Sequence, residues 1–285
     1  MGPQVSSNPK GLSRAAAKAD LSREAQGGCA LGLRAQAWSS VSISYGVDRR
    51  VKVDQRIWKL PMKLLLTSGG VRNASIHNAL LGLLGKPISE CAALCIPTAG
   101  YGHPLGSPEG AWRFVTGRQS VCPMVELGWK SVGLLELTAL ASIGETRWVP
   151  WVRATDVLLV GGGDALYLAY WMRQSGLLAM LPSLRHRVWV GLSAGSMVMA
   201  PKVGNAFIEM KPPITGKDRA LGLVDFSIFP HLDHPGFDEN TMACAERWAA
   251  EIGGPAYAID DQTAIQVVDG KATVITEGNW RYFGG

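Results

Sequence analysis

From Met62 onward, short runs of unbroken apolar residues alternate with stretches of helical period. Leu64-Leu65-Leu66, Ala92–Ile96, Val157–Val160 and Val188-Trp189-Val190 hold no polar side chain. A strand that is apolar on both sides is buried on both faces, as in a parallel sheet layered between helices. The pattern predicts strands at 62–67, 91–97, 132–138, 156–160 and 187–192, and helices at 74–85, 108–127, 165–180 and 194–200. Further on, 238–252 reads as a helix with acidic residues in its first turn. Short strands follow at 256–260, 263–268 and 272–276, the last two joined by a hairpin turn at Val268-Asp-Gly-Lys271. No internal repeat is visible. The expected fold is α/β, a mainly parallel sheet with helices on both faces.

Residues 1–61 break this pattern. They are rich in Ser, Ala, Gly, Gln and Arg and carry few apolar stretches, so they predict a disordered or non-native N-terminal extension. Met62 then opens the first strand, and 62–285 is expected to form one domain. An organelle transit segment, Arg- and Ser-rich and poor in acids, is the other reading of 1–61. The extension also changes the meaning of the net charge of +5. Residues 1–61 hold ten Lys/Arg and four Asp/Glu, leaving eighteen against nineteen in the rest, so the body is nearly neutral. It shows no basic stripe with interleaved aromatics, and no nucleic-acid partner is expected. No run reaches the eighteen or so apolar residues a membrane helix needs, so no membrane partner is expected either. The five cysteines form no metal-type pair, and Cys91 and Cys95 share a strand parity that suits two small core side chains.

The densest chemical signal is Gly191-Leu-Ser193-Ala-Gly195, which leaves an apolar strand and feeds a helical run. Glycines on either side let a serine sit at the tip of a sharp strand-to-helix turn, its oxygen open and the Ala194 N–H aimed at what it attacks. With 34 glycines in the chain, chance could supply the motif, but the strand before it and the helix after it select the nucleophile reading.

A serine hydroxyl needs a base. Of the five histidines, His77 falls in a predicted helix, His103 in a loop and His186 between two arginines. His231, with His234 as alternate, lies where the apolar Ile228-Phe229 ends in a loop, which is where open α/β sheets place their chemistry. The acid that orients the base is sought in Ala258-Ile-Asp260-Asp261-Gln, where alternation lets only one of the two carboxylates face the site. Asp233 is read as a turn cap. Val160-Gly-Gly162-Gly163-Asp164 offers a glycine-rich turn whose N–H groups could join Ala194 in an oxyanion hole, with Asp164 capping the next helix.

Taken together and in this order, Gly-Gly-Gly-Asp-Ala-Leu-Tyr-Leu (161–168), Gly-Leu-Ser-Ala-Gly-Ser (191–196), Phe-Pro-His (229–231) and Ala-Ile-Asp-Asp-Gln-Thr-Ala-Ile (258–265) resemble the peptidase E (aspartyl dipeptidase) and cyanophycinase family of serine peptidases. Ile96-Pro-Thr-Ala99 is similar to that family's second strand end. The resemblance implies a class I glutamine amidotransferase-like fold and a cytoplasmic exopeptidase that needs no metal or cofactor. It places Ser193 as nucleophile, His231 as base and Asp261 as acid. The order Ser, His, acid separates the chain from α/β-hydrolases, where the acid comes before the histidine.

Two positions depart from the family pattern. The acid is aspartate where glutamate is common, and Asp164-Ala165 stands where Asn-Thr is common. The expected function is hydrolysis of small peptides, dipeptides with N-terminal aspartate first, with Arg72 or Lys202 as the cation that would hold an acidic substrate. The alternatives are a peptidase for other small or β-aspartyl peptides and a non-catalytic small-molecule-binding relative. The partner is a small peptide, and a homodimer is one assembly open to the chain.

Overall fold

The computed structural model describes residues 63–104, 106–118, 122–208 and 217–284. The expectation for residues 1–61 lies outside them. Strands β1 (Lys63–Thr67), β2 (Ala92–Ile96), β3 (Ser131–Leu134), β4 (Val157–Val160), β5 (Val188–Leu192), β8 (Thr263–Val268) and β9 (Lys271–Thr276) form one sheet in the order β3-β2-β4-β5-β1-β8-β9. The first five run parallel, while β8 lies antiparallel to β1 and β9 antiparallel to β8.

Alternate residues of the central strands enter opposite cores. Leu64, Leu66, Leu158, Val160 and Trp189 face one side, and Leu65, Val157, Leu159, Val188 and Val190 the other. That is why these strands read as unbroken apolar runs: each side chain has a helix layer to bury against. Cys91 and Cys95 share the second core, where burial pushes the Cys95 thiol up to about 12 and leaves it inert.

The α/β expectation holds, and several element limits move. The helix read at 108–127 stops at Val115, because Gly117 takes a left-handed φ of 68° and breaks the run. The helix read at 165–180 divides into Ala165–Gln174 and Leu177–Met180 around Gly176, φ 84°. The late helix is Met242–Ile252, capped by Thr241 Oγ1 on the Cys244 N–H, so Asp238 and Glu239 come before it and do not lie in its first turn. The hairpin turn is present, with Asp269 and Gly270 both at positive φ.

A second sheet was not foreseen. β6 (Ser227–Phe229), β7 (Ala256–Ile259) and β10 (Trp280–Phe283) pair in the order β10-β7-β6, packed on the late helix through Phe229, Trp248, Ile252 and Ala258. β6 and β7 run parallel with Phe229 opposite Ala258, so the loops after them leave at the same edge. In the main sheet Thr67 pairs with Leu192, and Val160 with Gly191, which brings the loops after β1, β4 and β5 out side by side. Among the described residues no helix is long and apolar enough to cross a membrane.

Candidate active site

The Ser193 turn is strained, and its neighbours hold it. Ser193 has φ 50° and ψ −109°, a region a non-glycine residue occupies at a cost of about 1–3 kcal/mol. The flanking glycines answer a different need. A Cβ on Gly191 would lie 2.4 Å from Gly195 O, and one on Gly195 would lie 2.3 Å from Val160 O. Both must be glycine for lack of space, so that the chain can fold back on β4 and β5. Thr67 fastens the turn to β1: its carbonyl accepts the Ser193 N–H at 3.1 Å and the Ser196 hydroxyl at 2.8 Å, while its own hydroxyl donates to Gly191 O at 2.7 Å. The Trp189 indole N–H donates to Gly195 O at 2.9 Å from within the core.

The loop after β6 brings His231 to this turn. Its Nε2 lies 2.9 Å from Ser193 Oγ, and its Nδ1 lies 2.7 Å from Asp261 Oδ1. His231 also has a positive φ, 56°, held through a hydrogen bond from its backbone N–H to Ser68 Oγ at 2.7 Å. Asp261 is gripped from several sides: Oδ1 accepts from the Ser68 hydroxyl at 2.8 Å, Oδ2 from Arg72 at 2.8 Å, and His234 Nε2 lies 3.6 Å from Oδ2. Burial by itself would raise this carboxyl. The hydrogen bonds from His231 and Ser68 and the charges of His231 and His234 outweigh that and hold it at about 2.

A depressed carboxyl contributes stability that is complete above its unfolded value of about 4 and is lost as pH falls through the folded value. The interval from about 4 down to about 2 corresponds to a difference on the order of 2 kcal/mol. The stability gap between wild type and Asp261→Asn should therefore be at its full size just above about pH 4 and narrow steadily as pH falls below it. Urea unfolding midpoints across that range measure it, and a gap that does not vary with pH would contradict the assignment.

Asp260 faces elsewhere. Its Oδ1 accepts the Gln262 N–H at 3.0 Å and the Thr263 hydroxyl at 2.7 Å, and its Oδ2 accepts the Asn279 N–H at 2.5 Å, so it ties the β7–β8 turn to the segment before β10. His234 lies beside Asp261, and it is His231 that meets the serine. Asp233 is an exposed turn residue at φ 53°, His77 rides the helix Ala74–Leu84, and exposed His186 accepts from Arg185.

On the other side of the serine, a Cβ on Gly162 would lie 3.5 Å from Ser193 Cβ, so the glycine loop runs alongside that residue. Gly163, at φ 136°, packs its Cα against Ala99, where a Cβ would lie 2.2 Å from the Ala99 carbonyl. Ala194 is the first residue of the helix Ala194–Met197, where the N–H has no partner inside the helix. Buried Asp164 caps the helix Ala165–Gln174, its Oδ1 accepting the N–H groups of Leu166 and Tyr167 at 2.7 and 2.8 Å.

Of the two cationic candidates, Arg72 lies at the site but is paired with Asp261. Lys202 donates to the Ile252 carbonyl at 3.2 Å, at the end of the late helix. Among the described residues no group of three or more His, Cys, Asp or Glu converges to hold a metal ion. Sequence reasoning passed over Ser68 and Gly69. The signal was Thr67-Ser-Gly-Gly70 directly after the first strand, a turn whose importance depends on β1 lying next to β5.

A parallel α/β sheet with a strained serine at a strand end, hydrogen-bonded to a histidine that is bonded in turn to a carboxylate, defines a serine hydrolase. Comparison narrows the class. The chain belongs to peptidase family S51, whose model matches residues 64–275, and it is a serine-type peptidase. It is 30% identical over 164 residues, 53% of this chain and 76% of the other, to an uncharacterized peptidase, Lmo0363, of Listeria monocytogenes serovar 1/2a. Its fold resembles the crystal structure of a Listeria monocytogenes EGD-e protein named for peptidase E, at TM-score 0.56 and 19% identity over 76% of this chain and 100% of that one. It also resembles a peptidase from an acI-B1 actinobacterium, at TM-score 0.53 and 17% identity over 79% and 95% of the two chains.

Proposed function

We propose that this peptidase is an exopeptidase for small peptides, dipeptides with N-terminal aspartate first among them, working through an acyl-enzyme on Ser193. The hydrogen-bonded line Ser193 Oγ–His231 Nε2 at 2.9 Å and His231 Nδ1–Asp261 Oδ1 at 2.7 Å carries the reading. In it, His231 takes the serine proton as Ser193 attacks the peptide carbonyl, and Asp261 holds the imidazolium. The amides of Ala194, Gly162 and Gly163 receive the oxyanion. His231 then passes its proton to the leaving amine, and a water deprotonated by the same histidine releases the acid product.

Among the described residues, Arg72, whose side chain is 29% exposed, is the candidate cation for an aspartyl substrate. Its bond to Asp261 gives weight to a second reading, a preference for small peptides without an N-terminal acid or with a β-aspartyl link. Both are tested on the full chain with a panel of Asp-X, β-Asp-X and neutral dipeptides, beside Ser193→Ala. Preferential cleavage of Asp-X, lost by about 10⁴-fold or more in Ser193→Ala, is the expected result. Cleavage confined to the other peptides moves the assignment to the second reading, and undiminished turnover in Ser193→Ala refutes the mechanism.

A further inference from the structure

We infer that Ser68 is a positioning residue of this site, a buried hydroxyl that acts through Asp261 and His231 and not on the peptide. The inference rests on the serine–histidine–aspartate reading above. Ser68 is fully buried, and its one oxygen meets two members of the line: it lies 2.8 Å from Asp261 Oδ1, 2.7 Å from the His231 backbone nitrogen and 3.4 Å from His231 Nδ1.

Proton counting fixes the directions. The backbone N–H can only donate, so Ser68 Oγ accepts from it; the carboxylate can only accept, so the single hydroxyl proton goes to Asp261. No Ser68 proton remains for His231 Nδ1, which carries its own and gives it to Asp261 at 2.7 Å. Nε2 is then the bare nitrogen, facing Ser193 Oγ at 2.9 Å, which is the tautomer a general base needs.

The surrounding turn is shaped for this contact. A Cβ on Gly69 would lie 2.7 Å from Asp261 Cγ and 2.9 Å from Arg72 Cδ, so the main chain lies flat against the carboxylate. Thr67, Ser68 and Arg72 thus bind the nucleophile turn, the base and the acid from one short segment.

Without the Ser68 hydroxyl, Asp261 Oδ1 keeps more of its negative charge for the imidazolium, and the positive-φ backbone of His231 loses its anchor. Among the described residues, the charged and titratable groups at this pair are Asp261 itself, Arg72 from the β1 turn, His234 from the 231–240 loop and Cys122, whose thiol feels the charges of Asp261 and Arg72. The first change raises the pH at which His231 becomes a base, and the second lowers the rate once it is one.

The experiment is the rate at which a fluorophosphonate probe labels Ser193 in the full chain, followed from pH 5 to 9 at constant ionic strength. Wild type should label with a rate that rises as His231 loses its proton; if it does not label, the reading of the site fails and this inference fails with it. In Ser68→Ala the plateau rate should fall about tenfold or more, and the midpoint should move upward by about half a pH unit. Ser68→Thr and Ser68→Val match in volume and differ in the hydroxyl, so they carry the same comparison if the alanine variant does not fold. Threonine should keep the wild-type midpoint and valine should not. An unmoved midpoint in Ser68→Ala, or identical profiles for threonine and valine, overturns the role while leaving Ser193 as nucleophile.

Discussion

Asp261→Asn should lower kcat by about 10⁴-fold while the protein remains folded at neutral pH, whereas Asp260→Ala should leave kcat per folded molecule within about twofold of wild type. The two carboxylates are neighbours in sequence and face different partners. An asparagine at 261 can present its amide NH₂ to His231 Nδ1, which favours the tautomer with the proton on Nε2, the wrong one for accepting from Ser193. It also removes the charge that stabilises the imidazolium. Asp260 meets the Gln262 N–H, the Thr263 hydroxyl and the Asn279 N–H; its loss leaves the two N–H groups without their side-chain acceptor, while the Thr263 hydroxyl keeps Thr276 Oγ1 at 2.6 Å, and should cost about 1–3 kcal/mol in unfolding free energy. Steady-state turnover of the best dipeptide, with urea unfolding of the same samples, separates the effects. A large kcat loss in Asp260→Ala with unchanged stability would exchange the two assignments.

Gly195→Ala should be among the most damaging single-methyl additions available in this chain. The new Cβ would lie 2.3 Å from Val160 O and 3.1 Å from Gly161 O, both main-chain atoms on a central strand and the loop after it. Neither can move without tearing β4 from β5, so the turn must shift and take Ser193 with it. Loss of several kcal/mol of stability, or of measurable turnover in whatever folds, is expected. Gly82→Ala is the contrast: it lies exposed in the helix Ala74–Leu84 with open space around its Cβ, and should raise stability by about 0.5–1 kcal/mol. Thermal unfolding of the two variants reads both signs. A stable, active Gly195→Ala would show that the turn is looser than its contacts imply.

Much of this molecule was legible along the chain. The apolar runs at 64–66, 92–96, 157–160 and 188–190 set the parallel sheet, because a strand buried on both faces has no room for polar side chains. The Ser193 turn was legible for the same kind of reason, since only glycine at 191 and 195 lets strand, serine and helix pack so closely. The sequence also placed the candidate base in the Phe-Pro-His loop and the candidate acid at two adjacent aspartates.

The resemblance already pointed to Asp261; only the tertiary structure set its carboxylate against His231 and put Ser68 beside both. Which carboxylate meets His231 depends on β6 and β7 pairing in parallel in their own small sheet and on β8 turning back along β1, and strands this short carry no signal of their partners. Ser68, with Gly69 and Arg72 beside it, gains its role because β1 lies between β5 and β8, so that one turn can reach residues more than a hundred positions away. Local sequence determined where the chain bends and what it buries, since these depend on neighbours a few residues apart. The hydrogen-bonded line through Ser193, His231 and Asp261 depends on angles and separations that only the packed sheets fix, because an ångström decides whether a proton is shared.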